Sequence, residues 1–66
     1  MSADELLGFV AEMINKYTDG RNDLVEMIKA DPEKTPDALK ELDRLKKTAY
    51  SEEDLGMIKE ISLYFV

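Results

Sequence analysis

Hydrophobic residues recur at intervals of three and four along most of the chain, and short polar breaks separate the stretches in which they do so. This spacing is typical of amphipathic helices. The pattern predicts four helices, over approximately 3–18, 23–30, 36–48 and 52–65. Because the breaks are short, we expect the helices to pack into one compact all-α bundle, a single domain over residues 1–66.

Polar residues at the predicted helix ends support this division. Ser2, Asn22, Thr35 and Ser51 precede the four apolar stretches, and short polar side chains at this position cap the free N–H groups of a helix. Gly20 follows the first stretch, where a residue in the left-handed conformation commonly ends a helix.

The stretch ISLYFV at 61–66 allows three interpretations. In the first, it completes the fourth helix, with Ile61 and Phe65 turned inward. Alternatively it forms a strand, since apolar and mostly β-favouring residues follow one another, and this strand would need a second chain to pair with. The third interpretation is a free tail that enters a groove on another protein.

Composition removes several kinds of chemistry. The 66 residues include no Cys, which excludes disulfides and thiolate metal sites. They include no His, which is the commonest metal ligand and the commonest general base. The acidic stretch 19–30 resembles a calcium loop only at its start, because Leu24 and Ala30 stand where Gly and Glu are required. We therefore expect no enzyme activity, no cofactor and no metal.

Charge is unevenly distributed along the chain. The net charge is −6, but residues 34–48 contain five bases against three acids, and the remainder contains four bases against twelve acids. An acidic protein does not bind nucleic acid nonspecifically, because neutralising phosphates requires clustered Lys and Arg. The absence of Cys and of any run of about 20 apolar residues favours a cytoplasmic protein.

A helix-turn-helix DNA-binding regulator is the strongest competing interpretation of residues 39–61. The second helix of such a motif enters the major groove with its first residues. Here those residues are Glu52, Glu53 and Asp54, which phosphates would repel. We therefore expect no direct binding of nucleic acid.

An internal resemblance links the two ends of the chain. DELLGFVAEM at 4–13 and EEDLGMIKEI at 52–61 align at an offset of 48 residues. Shared capping preferences explain two similar helix starts. The alternative is that Gly8 and Gly56 have equivalent roles, since glycine inside a helix costs about 1 kcal/mol relative to Ala and often marks a close backbone approach.

More apolar side chains are present than a small core can cover. Phe9 lies beside the stripe of the first helix, and Met57, Leu63 and Tyr64 lie off the stripe of the fourth. One interpretation is a wide stripe in a tightly packed bundle. The other is a partner surface that includes Phe9, Met57, Tyr64 and Phe65, since large exposed apolar patches mark interaction sites.

These observations predict a small acidic module for protein–protein interaction, an inhibitor or adaptor that acts on a larger macromolecular partner, as phage-type accessory proteins of this size do. The acids at the starts of the first and fourth helices are expected to steer the module to a basic groove, for example on a nucleic-acid-handling protein; they are Asp4, Glu5, Glu52, Glu53 and Asp54. The alternative is a homodimeric structural or regulatory protein that uses the same apolar surplus for self-association.

Overall fold

Four α-helices succeed one another in the computed structural model, which describes residues 2–65. They are α1 (Ala3–Tyr17), α2 (Asn22–Ala30), α3 (Thr35–Leu45) and α4 (Glu52–Leu63). A 3₁₀ turn over Pro32–Lys34 leads directly into α3. No strand occurs within residues 2–65. The predicted all-α bundle is thus confirmed, and the helix ends differ by up to three residues.

Two of the predicted N-caps are confirmed. The Ser2 hydroxyl accepts a hydrogen bond from the Glu5 backbone N–H at 3.2 Å. The Ser51 hydroxyl accepts one from the Asp54 backbone N–H at 3.1 Å. Each serine therefore satisfies a backbone donor that the first turn of its helix leaves free.

The other two predicted N-caps are wrong, because Asn22 and Thr35 are already the first residues of their helices. The buried Thr35 hydroxyl donates to the Pro32 carbonyl at 2.6 Å and joins the 3₁₀ turn to α3. Arg21 precedes α2 without a capping side chain and pairs with Asp23 instead.

The third helix ends at Leu45, three residues before the predicted end. After Lys46 the chain turns towards α1, and the Lys47 backbone N–H donates to the Tyr17 carbonyl at 3.0 Å. Lys46 and Lys47 consequently lie beyond the last turn of α3. Ala49 is exposed in the loop that follows.

The fourth helix ends at Leu63 and continues as a turn. The Tyr64 backbone N–H donates to the Ile61 carbonyl at 3.0 Å, and the Phe65 N–H donates to the Ser62 carbonyl at 3.2 Å. The strand interpretation is therefore wrong. The helical one holds for residues 61–63, and Val66 lies outside the described residues.

The core is built mainly by α1, α2 and α3. They contribute eleven of the twelve buried apolar side chains within residues 2–65, and α4 contributes only Ile61. Three more apolar residues of α4 and the turn after it are less covered: Ile58 and Phe65 are half-buried, and Leu55 is 42% exposed. The backbone of α4 is also the least closely approached by other helices. The fourth helix therefore lies on the outside of a three-helix unit.

The three glycines have different environments. Gly20 adopts φ 71°, the left-handed conformation expected of it. Gly8 and Gly56 lie inside helices, and a Cβ atom at either position would meet no atom within 4 Å. A close approach by another helix of the chain does not explain these two residues.

Candidate functional site

Contacts at both ends of α4 show that it runs antiparallel to α1. At its first turn, Asp54 Oδ2 lies 2.8 Å from the Nζ of Lys16, in the last turn of α1. At its other end, Tyr64 and Phe65 border a hollow together with Leu6, near the beginning of α1. Residues of both helices therefore line the surface between them.

A small hydrogen-bond network fixes the start of α4 to the end of α1. The Tyr17 hydroxyl donates to Asp54 Oδ2 and accepts from the Ser51 backbone N–H at 3.1 Å. Lys16 donates to the same Asp54 oxygen. Because the Tyr17 side chain is part of the core, with 4% exposure, the network ties the polar start of α4 to the buried interior.

The network also changes the acidity of Asp54. Hydrogen bonds from Lys16 and then from Tyr17 stabilise the carboxylate, and the pKa of Asp54 falls from 3.8 to about 2. Asp54 is one of the predicted partner-binding residues. One oxygen of its carboxylate already serves the fold, so the uncommitted acids nearby are Glu52 and Glu53.

The loop before α4 packs against this network through Tyr50. Its ring stands edge-on to the Tyr17 ring, with 5.0 Å between the centroids, and the Lys46 ammonium lies 4.3 Å from the Tyr50 centroid. Partial burial is the main cause that raises the pKa of Tyr50 to about 12. Its phenol thus stays protonated and contributes to packing.

A groove of about 260 Å³ lies between α1 and α4. Its apolar lining comes from Phe9, Met13 and Met57, of which Phe9 and Met57 are half-buried. Glu12, Glu53 and the paired Lys16 and Asp54 complete its lining. Three predicted partner-binding residues, Phe9, Met57 and Glu53, therefore meet in one groove, and Asp54 borders it.

The predicted residues at the end of α4 lie elsewhere. Tyr64, 53% exposed, shares a more open hollow with Glu5, Glu60 and the 73% exposed Leu63. Phe65 is half-buried and faces a hollow beside the start of α1.

Glu52 is exposed and does not border the groove that holds Glu53. Phe9 lies on α1, and the other six residues predicted to bind a partner extend from the start of α4 to the turn after it, so only a part of the seven forms one site.

Two residues of this surface are absent from the sequence prediction, Glu12 and Glu60. The offset of 48 residues contains the signal for both, because it pairs Glu12 with Glu60, as well as Phe9 with Met57. Since α1 and α4 run antiparallel, and Glu12 lines one hollow with Glu53 while Glu5 lines another with Glu60, the paired residues are related by an approximate twofold axis. We refer to the residues so related as the α1–α4 surface: Glu5, Phe9, Glu12, Glu53, Met57 and Glu60.

The symmetry places an apolar pair between two acidic pairs. Phe9 and Met57 lie in the middle, Glu12 and Glu53 at one end, and Glu5 at the other end with Glu60.

The negative charge of the molecule is concentrated on the same two helices. Helices α1 and α4 contain seven acids and two lysines, a net charge of −5, whereas the other residues contain eight acids and seven bases, a net charge of −1. Within residues 2–65, five of the six ion pairs join residues outside α1 and α4, and the sixth is Lys16 with Asp54. The four glutamates of the α1–α4 surface take part in none of them.

The fold and this surface define a small all-α protein with an apolar patch framed by acids. No protein-family model, curated protein or solved structure matches the chain. None of the helices described within residues 2–65 is both long and apolar enough to span a membrane. No group of three or more potential metal ligands is assembled in the same residues.

Proposed function

We propose that this protein is a small interaction module, an inhibitor or adaptor, which binds a larger macromolecular partner through the α1–α4 surface. The observation that supports the proposal is the position of Phe9 and Met57 between glutamates that have no ion pair in the described chain. The cytoplasm is the compartment that its composition favours.

The arrangement has the anatomy of a protein interface. Interfaces commonly have an apolar centre surrounded by a polar rim, and aromatic residues and Met are enriched at that centre. The rim here is made of glutamates. No internal ion pair has to break when they pair with a lysine or arginine of another molecule. Binding would therefore remove apolar area from water without disrupting the fold.

The charge of the surface indicates the kind of partner. A net charge of −5 on two adjacent helices creates a field that attracts a basic protein surface and raises the rate of encounter. A basic groove on a nucleic-acid-handling protein has this property. Such an inhibitor or adaptor would bind less tightly as salt concentration rises.

A homodimer remains the second candidate, and the exposure of Leu55, Leu63 and Tyr64 favours it. Sedimentation equilibrium at low and high salt separates the two candidates. We expect the 7.5 kDa monomer across a hundredfold range of concentration. A mass of two chains would favour the homodimer.

Binding of DNA is less consistent with the arrangement of α3 and α4. The connection between them runs over six residues, 46–51, and helix-turn-helix motifs use a turn of about three to four. The first turn of α4 would also bring three acids to the phosphates.

Affinity capture with matched variants tests the proposed function. E12Q/E53Q removes two charges from the α1–α4 surface. As the control, E33Q/D37Q removes two exposed charges from the 3₁₀ turn and the first turn of α3. We expect the unmodified protein and the control to retain the same basic protein at low salt, and E12Q/E53Q to retain much less. Equal retention by all three proteins would contradict the proposal.

A further inference from the structure

We propose, as an extension that depends on the proposed function, that the α1–α4 surface receives one basic amphipathic helix of the partner. The helix would lie along the groove with a large apolar side chain between Phe9 and Met57. Lysines or arginines on either side of that side chain would reach the four glutamates.

The spacing of the glutamates matches a helix. Glu5 and Glu12 are seven residues apart on α1, and Glu53 and Glu60 are seven residues apart on α4. Seven residues of α-helix span about 10 Å. A ligand helix with basic residues three to four positions before and after an apolar residue repeats this distance, because those positions share one helix face.

Helical docking also fits the secondary structure of the surface better than strand docking does. An extended peptide binds by adding to an exposed strand edge, and residues 2–65 contain no strand. The groove between two antiparallel helices instead offers side chains only. An amphipathic helix satisfies its own backbone and needs nothing more from such a groove.

A second copy of this chain is a poor occupant. Packing two α1–α4 surfaces together would bring four glutamates against four, and unpaired like charges across an interface oppose association. A basic helix reverses the sign of every one of these interactions. Charge complementarity therefore selects the basic helix over the homodimer for this surface.

The approximate twofold axis has a consequence for the direction of binding. Reversing a ligand helix exchanges the Glu12–Glu53 end with the Glu5–Glu60 end, and both ends present two carboxylates to the ligand. A helix with a symmetric pattern of basic residues should therefore dock in both directions.

A designed peptide provides the probe. It has about 16 residues in an alanine-rich background, one leucine near its middle, lysines three and four positions to each side of the leucine, and blocked ends. A control peptide has the same composition, but its lysines lie on the face opposite the leucine. Fluorescence anisotropy with a labelled peptide measures the dissociation constant at two salt concentrations.

We expect the first peptide to bind about tenfold more tightly than the control peptide at low salt, and to lose most of this advantage at high salt. The E12Q/E53Q variant should weaken binding by about fivefold, and E33Q/D37Q should leave it unchanged. Met57→Ala should weaken it to a similar extent, and Leu55→Ala, on the α3 side of the same helix, should not. Circular dichroism confirms that each variant remains helical.

Equal binding of the two peptides, or equal loss in E12Q/E53Q and E33Q/D37Q, would overturn the helix proposal. A nitroxide at the peptide N-terminus tests the direction, because two-way docking predicts paramagnetic broadening at both ends of the α1–α4 surface. Broadening at one end only would contradict the symmetry.

The two proposals fail separately. If the peptide does not bind but a cellular protein is captured through Glu12 and Glu53, the proposed function stands and the helical ligand is wrong. If neither occurs, both are wrong.

Discussion

The α1–α4 side and the α2–α3 side of this protein use their charged residues differently. On and around α2 and α3, bases and acids alternate and five ion pairs form between them. On α1 and α4 the acids outnumber the lysines by seven to two, and one ion pair forms. The first side compensates its own charge. The second leaves most of its charge uncompensated, at a small cost from repulsion between like charges.

Burial separates α4 from the other three helices. Helices α1, α2 and α3 share an apolar core, whereas α4 contributes one fully buried residue, Ile61, and is otherwise held by half-buried contacts and the polar network at Tyr17. An outer helix of this kind can present side chains on both of its flanks. The following predictions examine this difference, from the largest expected effect to the smallest.

Ile61→Ala should have the largest effect, because it removes the only fully buried side chain of α4. Truncation of a buried Ile to Ala costs about 2–5 kcal/mol in the free energy of unfolding. Leu63→Ala, two residues further and 73% exposed, should change it by less than about 0.5 kcal/mol. Urea denaturation followed by circular dichroism measures both.

If Ile61→Ala does not fold, Ile61→Val provides the same test, with an expected loss of about 0.5–1.5 kcal/mol in the free energy of unfolding. Equal effects of the two truncations at positions 61 and 63 would mean that α4 is not anchored through Ile61.

Tyr17→Phe should destabilise the protein by about 1–2 kcal/mol, because the Ser51 N–H and Asp54 lose their partner while the ring remains in place. Urea denaturation measures this change. Tyr64→Phe, at an exposed position, is the control.

The Asp54 carboxylate should make the stability of the fold depend on pH. Because the pKa of Asp54 is depressed to about 2, its contribution to stability is present above pH 4 and is lost as the pH falls towards 2. Tyr17→Phe should shift this loss to higher pH, because the hydroxyl that helps to lower the pKa of Asp54 is then missing. Unchanged stability in the variant at every pH would show that the hydroxyl does not hold α4.

Gly56→Ala and Gly8→Ala should each stabilise the protein by about 0.5–1 kcal/mol, since both positions are helical and open. Gly20→Ala should do the opposite, because φ 71° is strained for alanine. Thermal denaturation compares the three variants. A loss of stability in Gly56→Ala would reveal a contact that limits space on the α4 side.

Neutralising a glutamate should have opposite effects on the two sides of the molecule. Glu12→Gln removes an unpaired acid from an acidic surface and should stabilise the protein by a few tenths of a kcal/mol at low salt. Glu41→Gln breaks an ion pair with Arg44 and should slightly destabilise it. The midpoints of urea denaturation at two salt concentrations measure both changes in stability. Changes of the same sign would show that the charges on the two sides do not differ in this way.

Hydrophobic periodicity was sufficient to predict the helices, because Val10, Ile14, Ile28 and Leu42 occur at helical intervals and all four are fully buried. The end of α3 could not be predicted in the same way. Lys46–Thr48 has acceptable helix propensity, and the chain leaves the helix there because the Lys47 N–H bonds to a carbonyl at the end of α1. Such a contact is distant in the sequence and has no local signal.

The candidate site was partly predictable for a similar reason. Phe9 and Met57 are visible as apolar residues beside the helix stripes, and Glu53 as an acid at a helix start. Glu12 and Glu60 gain significance only once α1 and α4 are known to be antiparallel. The internal repeat contained this relation, but shared capping preferences explained the repeat equally well until the fold was known.

Site-specific photocrosslinking tests most directly whether the α1–α4 side, and not the α3 side, meets a partner. A photoreactive phenylalanine analogue replaces Phe9 in one protein and Tyr50 in another. Both positions are half-buried aromatics, and they lie on opposite flanks of α4. We expect a salt-sensitive crosslink to a basic protein from position 9 and none from position 50. A crosslink from position 50 alone, or one from position 9 to a second copy of this chain, would contradict the assignment of the α1–α4 surface.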